Sequence, residues 1–133
     1  MRKLIISVLC IIVLGIVSSC VLNSSVDKLT FQQVDPLSIK DSDLTETLNS
    51  NLNDGVYELR TNKKCYIIFN GSENSYKDIT YKAENNTFQI IFSTDKLKEK
   101  KQTVYKLVLP ESTDTIELIQ DGEQVSFQSV YLY

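Results

Sequence analysis

The sequence predicts a mainly β protein: a small antiparallel β-sandwich or barrel of about seven strands, with one short helix ahead of it over about 43–52. Three observations carry this. From Gly55 onward, apolar residues recur at every second position, the period of a half-buried strand. Residues suited to turns interrupt that alternation at roughly 8–14-residue spacing. The chain has 133 residues and is 42% hydrophobic, which suits one packed domain.

The first nineteen residues are not part of that domain. Arg2 and Lys3 precede an apolar run over 4–17, broken only by Ser7 and Gly15. A basic start, an apolar run and small residues before a cut describe a secretory signal. Here Val17-Ser18-Ser19 leads into Cys20, a pattern that resembles the lipobox of bacterial lipoproteins. The resemblance implies cleavage between Ser19 and Cys20 and a diacylglyceryl lipid on the Cys20 thiol. Small residues give access at the cut, and the thiol is the nucleophile that accepts the lipid. Cys10 fits less well, because the bulky Leu9 precedes it and its apolar run is short. The competing reading is an uncleaved anchor, since 4–22 nearly reaches the ~20 residues that span a bilayer. Both readings place the body outside the cytoplasm.

Residues 20–54 read as an acidic tether and lead-in. Asp27, Asp35, Asp41, Asp43, Glu46 and Asp54 stand there against Lys28 and Lys40. Cleavage removes two of the 14 bases and none of the 17 acids, moving the net charge from −3 to −5, and most of that charge lies in this segment. As a flexible coil the segment would span about 30 Å on average. Its last part suits a helix: Asp43 and Glu46 fit a capping box, and Leu44, Leu48 and Leu52 form one stripe. Asn53-Asp54-Gly55 supplies the stop.

The β domain, 55–133, follows strand by strand. Tyr57 and Leu59 share a face, and 65–69 is a continuous apolar run of the central-strand kind. Asn70-Gly71-Ser72 ends it. Ile79, Tyr81 and Ala83 alternate with Thr80 and Lys82, Glu84-Asn85-Asn86 turns the chain, and Phe88, Ile90 and Phe92 return on the same alternation. Lys96, Lys98, Lys100 and Lys101 make a basic loop around Glu99. Tyr105, Leu107 and Leu109 form the next strand, and Pro110 ends it. Two final strands, over 116–119 and 125–133, flank the hairpin signal Asp121-Gly122.

The composition removes several chemistries. With no His, imidazole catalysis, His metal sites and a His pH switch are absent. The acidic balance argues against nucleic-acid binding. Lys63 and Lys64 precede Cys65, but no base accompanies it, and free Cys is usually a core residue. Neither Asp41 with Asp43, nor Asp114 with Glu117 and Asp121, has a calcium-loop spacing, so no metal or other cofactor is implied. The seven Tyr fall mostly on strand positions, where they pack well. The basic loop reads as solvated, or as a contact for anionic lipid or wall polymer. Asn23-Ser24-Ser25 and Asn85-Asn86-Thr87 fit a glycosylation sequon, which a bacterial lipoprotein does not normally use.

One stretch carries a further resemblance. Val56-Tyr57, Tyr66-Ile67-Ile68-Phe69, Gly71, Tyr76 and Ile79 follow the order of the C-terminal domain of PrcB-type protease-complex subunits, over roughly 55–127. That family usually has a Gly-Gly pair before the turn tyrosine, where this chain has Asn74-Ser75. The resemblance implies a non-enzymatic lipoprotein that assists an extracellular protease. The expectation is therefore a non-catalytic interaction module, held to the membrane by the lipid on Cys20 and serving an envelope or secreted protein. A small-ligand-binding β-barrel is the alternative, and a hydrolase or isomerase is a remoter one. Abundant Asn, Lys and Ile point to an AT-rich, Gram-positive bacterial source.

Overall fold

A computed structural model describes residues 29–61 and 64–133. The signal segment 1–19, the lipobox Cys20 and residues up to 28 lie outside the described residues. Among the described residues, nine strands form two sheets packed as a β-sandwich. In chain order they are β1 (Thr30–Val34), β2 (Gly55–Arg60), β3 (Cys65–Gly71), β4 (Asn74–Glu84), β5 (Thr87–Lys96), β6 (Lys101–Val108), β7 (Thr115–Gln120), β8 (Glu123–Val125) and β9 (Ser129–Leu132). A one-turn 3-10 helix, Pro36–Ser38, and an α-helix, α1 (Ser42–Asn49), separate β1 from β2.

One sheet runs β1-β6-β3-β2-β9 and the other β4-β5-β7-β8. The sheets do not close into a barrel. The space between them is filled by Val56, Ile67, Phe69, Phe88, Ile90, Phe92, Leu107 and Leu118, all buried. Full burial of each large apolar side chain contributes about 1.5–3 kcal/mol. A second core lies on the opposite face of the five-stranded sheet. There Leu44 of α1 meets Tyr57, Leu59, Tyr66, Ile68 and Val104, with Leu48 and Leu52 packed alongside. This double covering explains the unbroken apolar run of β3: Ile67 and Phe69 face the other sheet, while Tyr66 and Ile68 face the helix.

The lead-in is part of this unit, which corrects the expected boundary at 55. β1 pairs antiparallel with β6 from Thr30↔Val108 to Val34↔Val104, and Phe31 packs into the inter-sheet core. Alternation in Thr30–Val34 is masked by Gln32 and Gln33, which are exposed on opposite faces of this edge strand. The helix also starts earlier and is shorter than 43–52. Its cap is Asp41, not Asp43: the Asp41 carboxylate accepts the backbone N–H of Asp43 (3.1 Å) and of Leu44 (3.4 Å). It ends at Ser50, before Asn53-Asp54-Gly55, where the Ser50 hydroxyl donates to the Thr47 carbonyl at 2.6 Å.

The expected antiparallel pairing holds for most neighbours, but β2–β9 and β5–β7 are parallel. For β5–β7 the cause is a change of sheet: β6 leaves for the five-stranded sheet, so β7 returns beside β5 in the same direction. Both expected hairpins are present. Asn85 (φ 50°) and Asn86 (φ 63°) turn β4 into β5, and Asp121 (φ 50°) with Gly122 (φ 85°) turns β7 into β8. β4 begins at Asn74, ahead of the expected 79, because a bulge around Asp78 (φ 53°) breaks its alternation. As an edge strand, β4 is blunted by that bulge and by Lys77, Lys82 and Glu84.

Candidate functional site

The register sorts polar side chains to the two ends of the sandwich. The end where β1 begins is called proximal here, and the end carrying the β5–β6 connection distal. At the proximal end one row crosses the five-stranded sheet, with Leu107 facing both Phe31 and Cys65, then Cys65↔Arg60 and Arg60↔Leu132.

Glu58, two residues before Arg60, is buried in this end with a side chain only 5% exposed. The Arg60 guanidinium donates its Nε–H to Glu58, and the Cys65 thiol donates to the same carboxylate oxygen at 3.8 Å. Burial pushes the Cys65 thiol up to about 12, and the Glu58 charge adds to the rise against the opposing pull of Arg60. A thiol so held is protonated at neutral pH and is no nucleophile. Beside this cluster lies a cleft of about 300 Å³ between the sheets, floored by Leu107, Leu109 and Ile116 and rimmed by Arg60, Lys64 and Asp114. It is an open end of a sandwich, not the mouth of a barrel.

At the distal end the hub is Asp54. Its Oδ1 accepts the backbone N–H groups of Ser72 (3.0 Å), Glu73 (2.8 Å) and Asn74 (2.9 Å). Its Oδ2 accepts the Asn74 side-chain amide (3.0 Å) and the Tyr76 hydroxyl (2.8 Å). Burial raises the carboxyl's pKa, but these donors outweigh it and hold the group at about 2. Burial and the adjacent Asp54 push the Tyr76 phenol up, so it stays a donor.

Around this hub stands the basic segment. β5 runs to Lys96 and β6 starts at Lys101, so the true loop is shorter than the expected 96–102. The backbone N–H of Lys98 donates to Ser75 Oγ at 3.2 Å and ties the loop to β4. Among the described residues, no ion pair engages Lys98, Lys100 or Lys101. Two clefts of about 210 and 410 Å³ adjoin here and share Gly71 and Lys101. Gly71 permits the close approach: a Cβ on it would stand 2.7 Å from the Asn74 carbonyl oxygen and 3.2 Å from that of Lys101.

The other residues singled out from the sequence do not converge. Asp41 caps α1, and Asp43 lies in its first turn. Asp114, Glu117 and Asp121 are strung along β7: Asp114 rims the proximal cleft, Glu117 accepts from Gln89 Nε2 at 2.9 Å, and Asp121 accepts the Thr94 N–H and hydroxyl. Among the described residues, no group of three His, Cys, Asp or Glu side chains could hold a metal ion. Most tyrosines pack rather than line a site; Tyr105 stacks on Phe31 at 4.5 Å, and Tyr57, Tyr131 and Tyr133 stack in series at 6.2 and 6.5 Å. Ser19 and Cys20 lie outside the described residues. Among those described, no helix is long and apolar enough to cross a membrane.

Sequence reasoning missed the roles of Glu58 and Asp54. The signal for Glu58 was an acid on the same strand face as Val56, which should be apolar in a sandwich. Asp54 had no linear signal, since its partners lie about twenty residues away across a turn.

Comparison with family models, with curated proteins and with solved structures gives no match. The likeness to protease-complex subunits therefore rests on its motif alone.

Proposed function

We propose that the protein is a lipid-anchored, extracytoplasmic, non-catalytic module that offers its distal end to an envelope or secreted protein. The lipobox Val17-Ser18-Ser19-Cys20 supports the anchor. One observation supports the choice of surface. Lys98, Lys100 and Lys101 stand exposed and free of ion pairs around two adjoining clefts, at the opposite end from the start of β1. Three lysines stand there against Glu99 on the rim of the same cleft, and such an excess of one charge steers association with a complementary surface. The partner surface is accordingly acidic. The resemblance of residues 55–127 to protease-complex subunits, without their Gly-Gly pair, makes a secreted protease the first partner to test.

The experiment is photo-crosslinking in intact cells, with the reactive residue at Lys100 of the full chain. A defined protein adduct is expected, and it should be lost when Lys98→Glu and Lys101→Glu are added. Repeated absence of a defined adduct, or an adduct indifferent to those charges, overturns the proposal. Palmitate labelling of the chain and of its Cys20→Ala variant tests the anchor separately.

A further inference from the structure

The proximal end gathers exposed apolar side chains beside basic ones. Leu132 is 74% exposed and Val130 49%, on one face of β9; Tyr133, 51% exposed, turns to the other face, where it stacks on Tyr131 and its hydroxyl lies 3.2 Å from that of Thr47. All three belong to β9 or directly follow it. The backbone N–H of Tyr133 donates to the Arg60 carbonyl at 2.9 Å, which fixes this end of β9 beside β2. Arg60 is half exposed, with its Nε–H held by the buried Glu58, so the outer part of the guanidinium is oriented outward from a fixed base. Lys64, across the turn, is exposed.

From this arrangement we infer that the corner formed by the end of β9 with Arg60 and Lys64 rests on the anionic lipid surface that holds Cys20. The inference depends on the lipid anchor proposed above. Chain length keeps the membrane within reach of this corner, and the basic Arg60 and Lys64 make an anionic surface its occupant. Leu29 lies nine positions after Cys20, which limits the reach to about 30 Å. β1 begins in the same row as Arg60 and Leu132, and four strand spacings, about 19 Å in all, separate β1 from β9. The corner is thus within the tether's reach of the head groups. The basic distal loop stands a full strand farther out, about 25 Å along β6.

Charge fixes which part of this end makes contact. Glu84, Glu111 and Asp114 lie on the half of the proximal end that belongs to the four-stranded sheet, and Glu84 is paired with Lys82 at 2.9 Å. Those acids are repelled by an anionic leaflet, whereas Arg60 and Lys64 are drawn to it. The domain therefore leans on its β9 corner, with Leu132 entering the boundary between head groups and acyl chains. This orientation leaves the Lys98–Lys101 surface facing outward for a partner.

The chain contains no Trp, so Leu132→Trp is a unique reporter. The processed chain, with its lipid on Cys20 verified by mass, is reconstituted in vesicles of phosphatidylglycerol and phosphatidylcholine or of phosphatidylcholine alone. Blue-shifted emission is expected in the anionic vesicles. Quenching by brominated acyl chains there should be several-fold stronger than for Lys100→Trp. High salt or Lys64→Glu should weaken both effects. Water-like emission from Leu132→Trp in a chain that carries the lipid overturns the inference. So does a blue shift that brominated lipid does not quench, which would mean that a second copy covers β9. Absence of lipid on Cys20 overturns the anchor, and this docking with it.

Discussion

The Tyr76 hydroxyl donates to Asp54 Oδ2 at 2.8 Å and joins the start of β4 to the residue that precedes β2. Asn74 donates to the same carboxylate twice, from backbone and from side chain. The Asn74 amide thus helps to hold the corner.

Asp54 gives the fold an acid sensitivity. Its carboxyl lies at about 2 in the fold, below the ordinary 3.8. The folded value is depressed, so its contribution is complete above about pH 4 and is lost as pH falls toward 2. Allowing for its partial exposure, the contribution is about 1–2 kcal/mol. Asp54→Asn should destabilise the protein by about that amount at pH 7. The gap between variant and parent should close near pH 2 in denaturant titrations. A gap that stays constant with pH would refute the assignment.

Cys65 behaves in the opposite sense. Its thiol is pushed up to about 12 from an ordinary 9.0, chiefly by burial. The folded state therefore keeps a proton that the unfolded chain releases above about pH 9. Stability should fall by up to about 1.4 kcal/mol per pH unit from there toward pH 12. Cys65 should resist a thiol reagent at pH 8 in the native protein and react at once in denaturant. Cys65 is partly buried at the edge of the proximal cleft, so fast native labelling would show that its thiol is not held protonated.

The sheets were legible in the sequence where one physical rule dominated. The alternation Phe88, Ile90, Phe92 marks a strand with one buried face, and Asn85-Asn86 and Asp121-Gly122 can only turn. β1 was not legible, because Gln32 and Gln33 interrupt its few apolar residues and its pairing partner β6 lies some seventy positions away. The parallel pairs were hidden for a related reason: local pattern does not say which sheet a strand joins. Of the candidate sites, the lysine cluster was visible as composition. Its clefts depend on Gly71 and Asn74, which read only as turn residues.

The Asn85-Asn86 turn offers a test by substitution. Both residues have positive φ, which suits Asn poorly compared with Gly at the second position. Asn86→Gly should leave stability unchanged or raise it by up to about 1 kcal/mol, whereas Asn86→Val should lower it by about 1–2 kcal/mol. Thermal unfolding of the two variants checks the sign. Equal effects from Gly and Val would mean that the backbone is not held in the left-handed region.

Glu58 and Arg60 should prove unequal partners. The Glu58 side chain is 5% exposed and Arg60 52%, so removing either leaves a different problem behind. Arg60→Ala strands a buried carboxylate without its cation, a change that costs about 3–5 kcal/mol in comparable sites. Glu58→Gln removes the buried charge, retains an oxygen for the Arg60 N–H, and leaves the half-exposed guanidinium free to hydrate. It should cost about 1 kcal/mol. The double variant Glu58→Gln with Arg60→Ala should recover much of the loss caused by Arg60→Ala, because the charge that needed the cation has gone. Urea unfolding of the four proteins in the cycle measures this coupling. Simple additivity would show that Glu58 does not depend on Arg60 for its counter-charge.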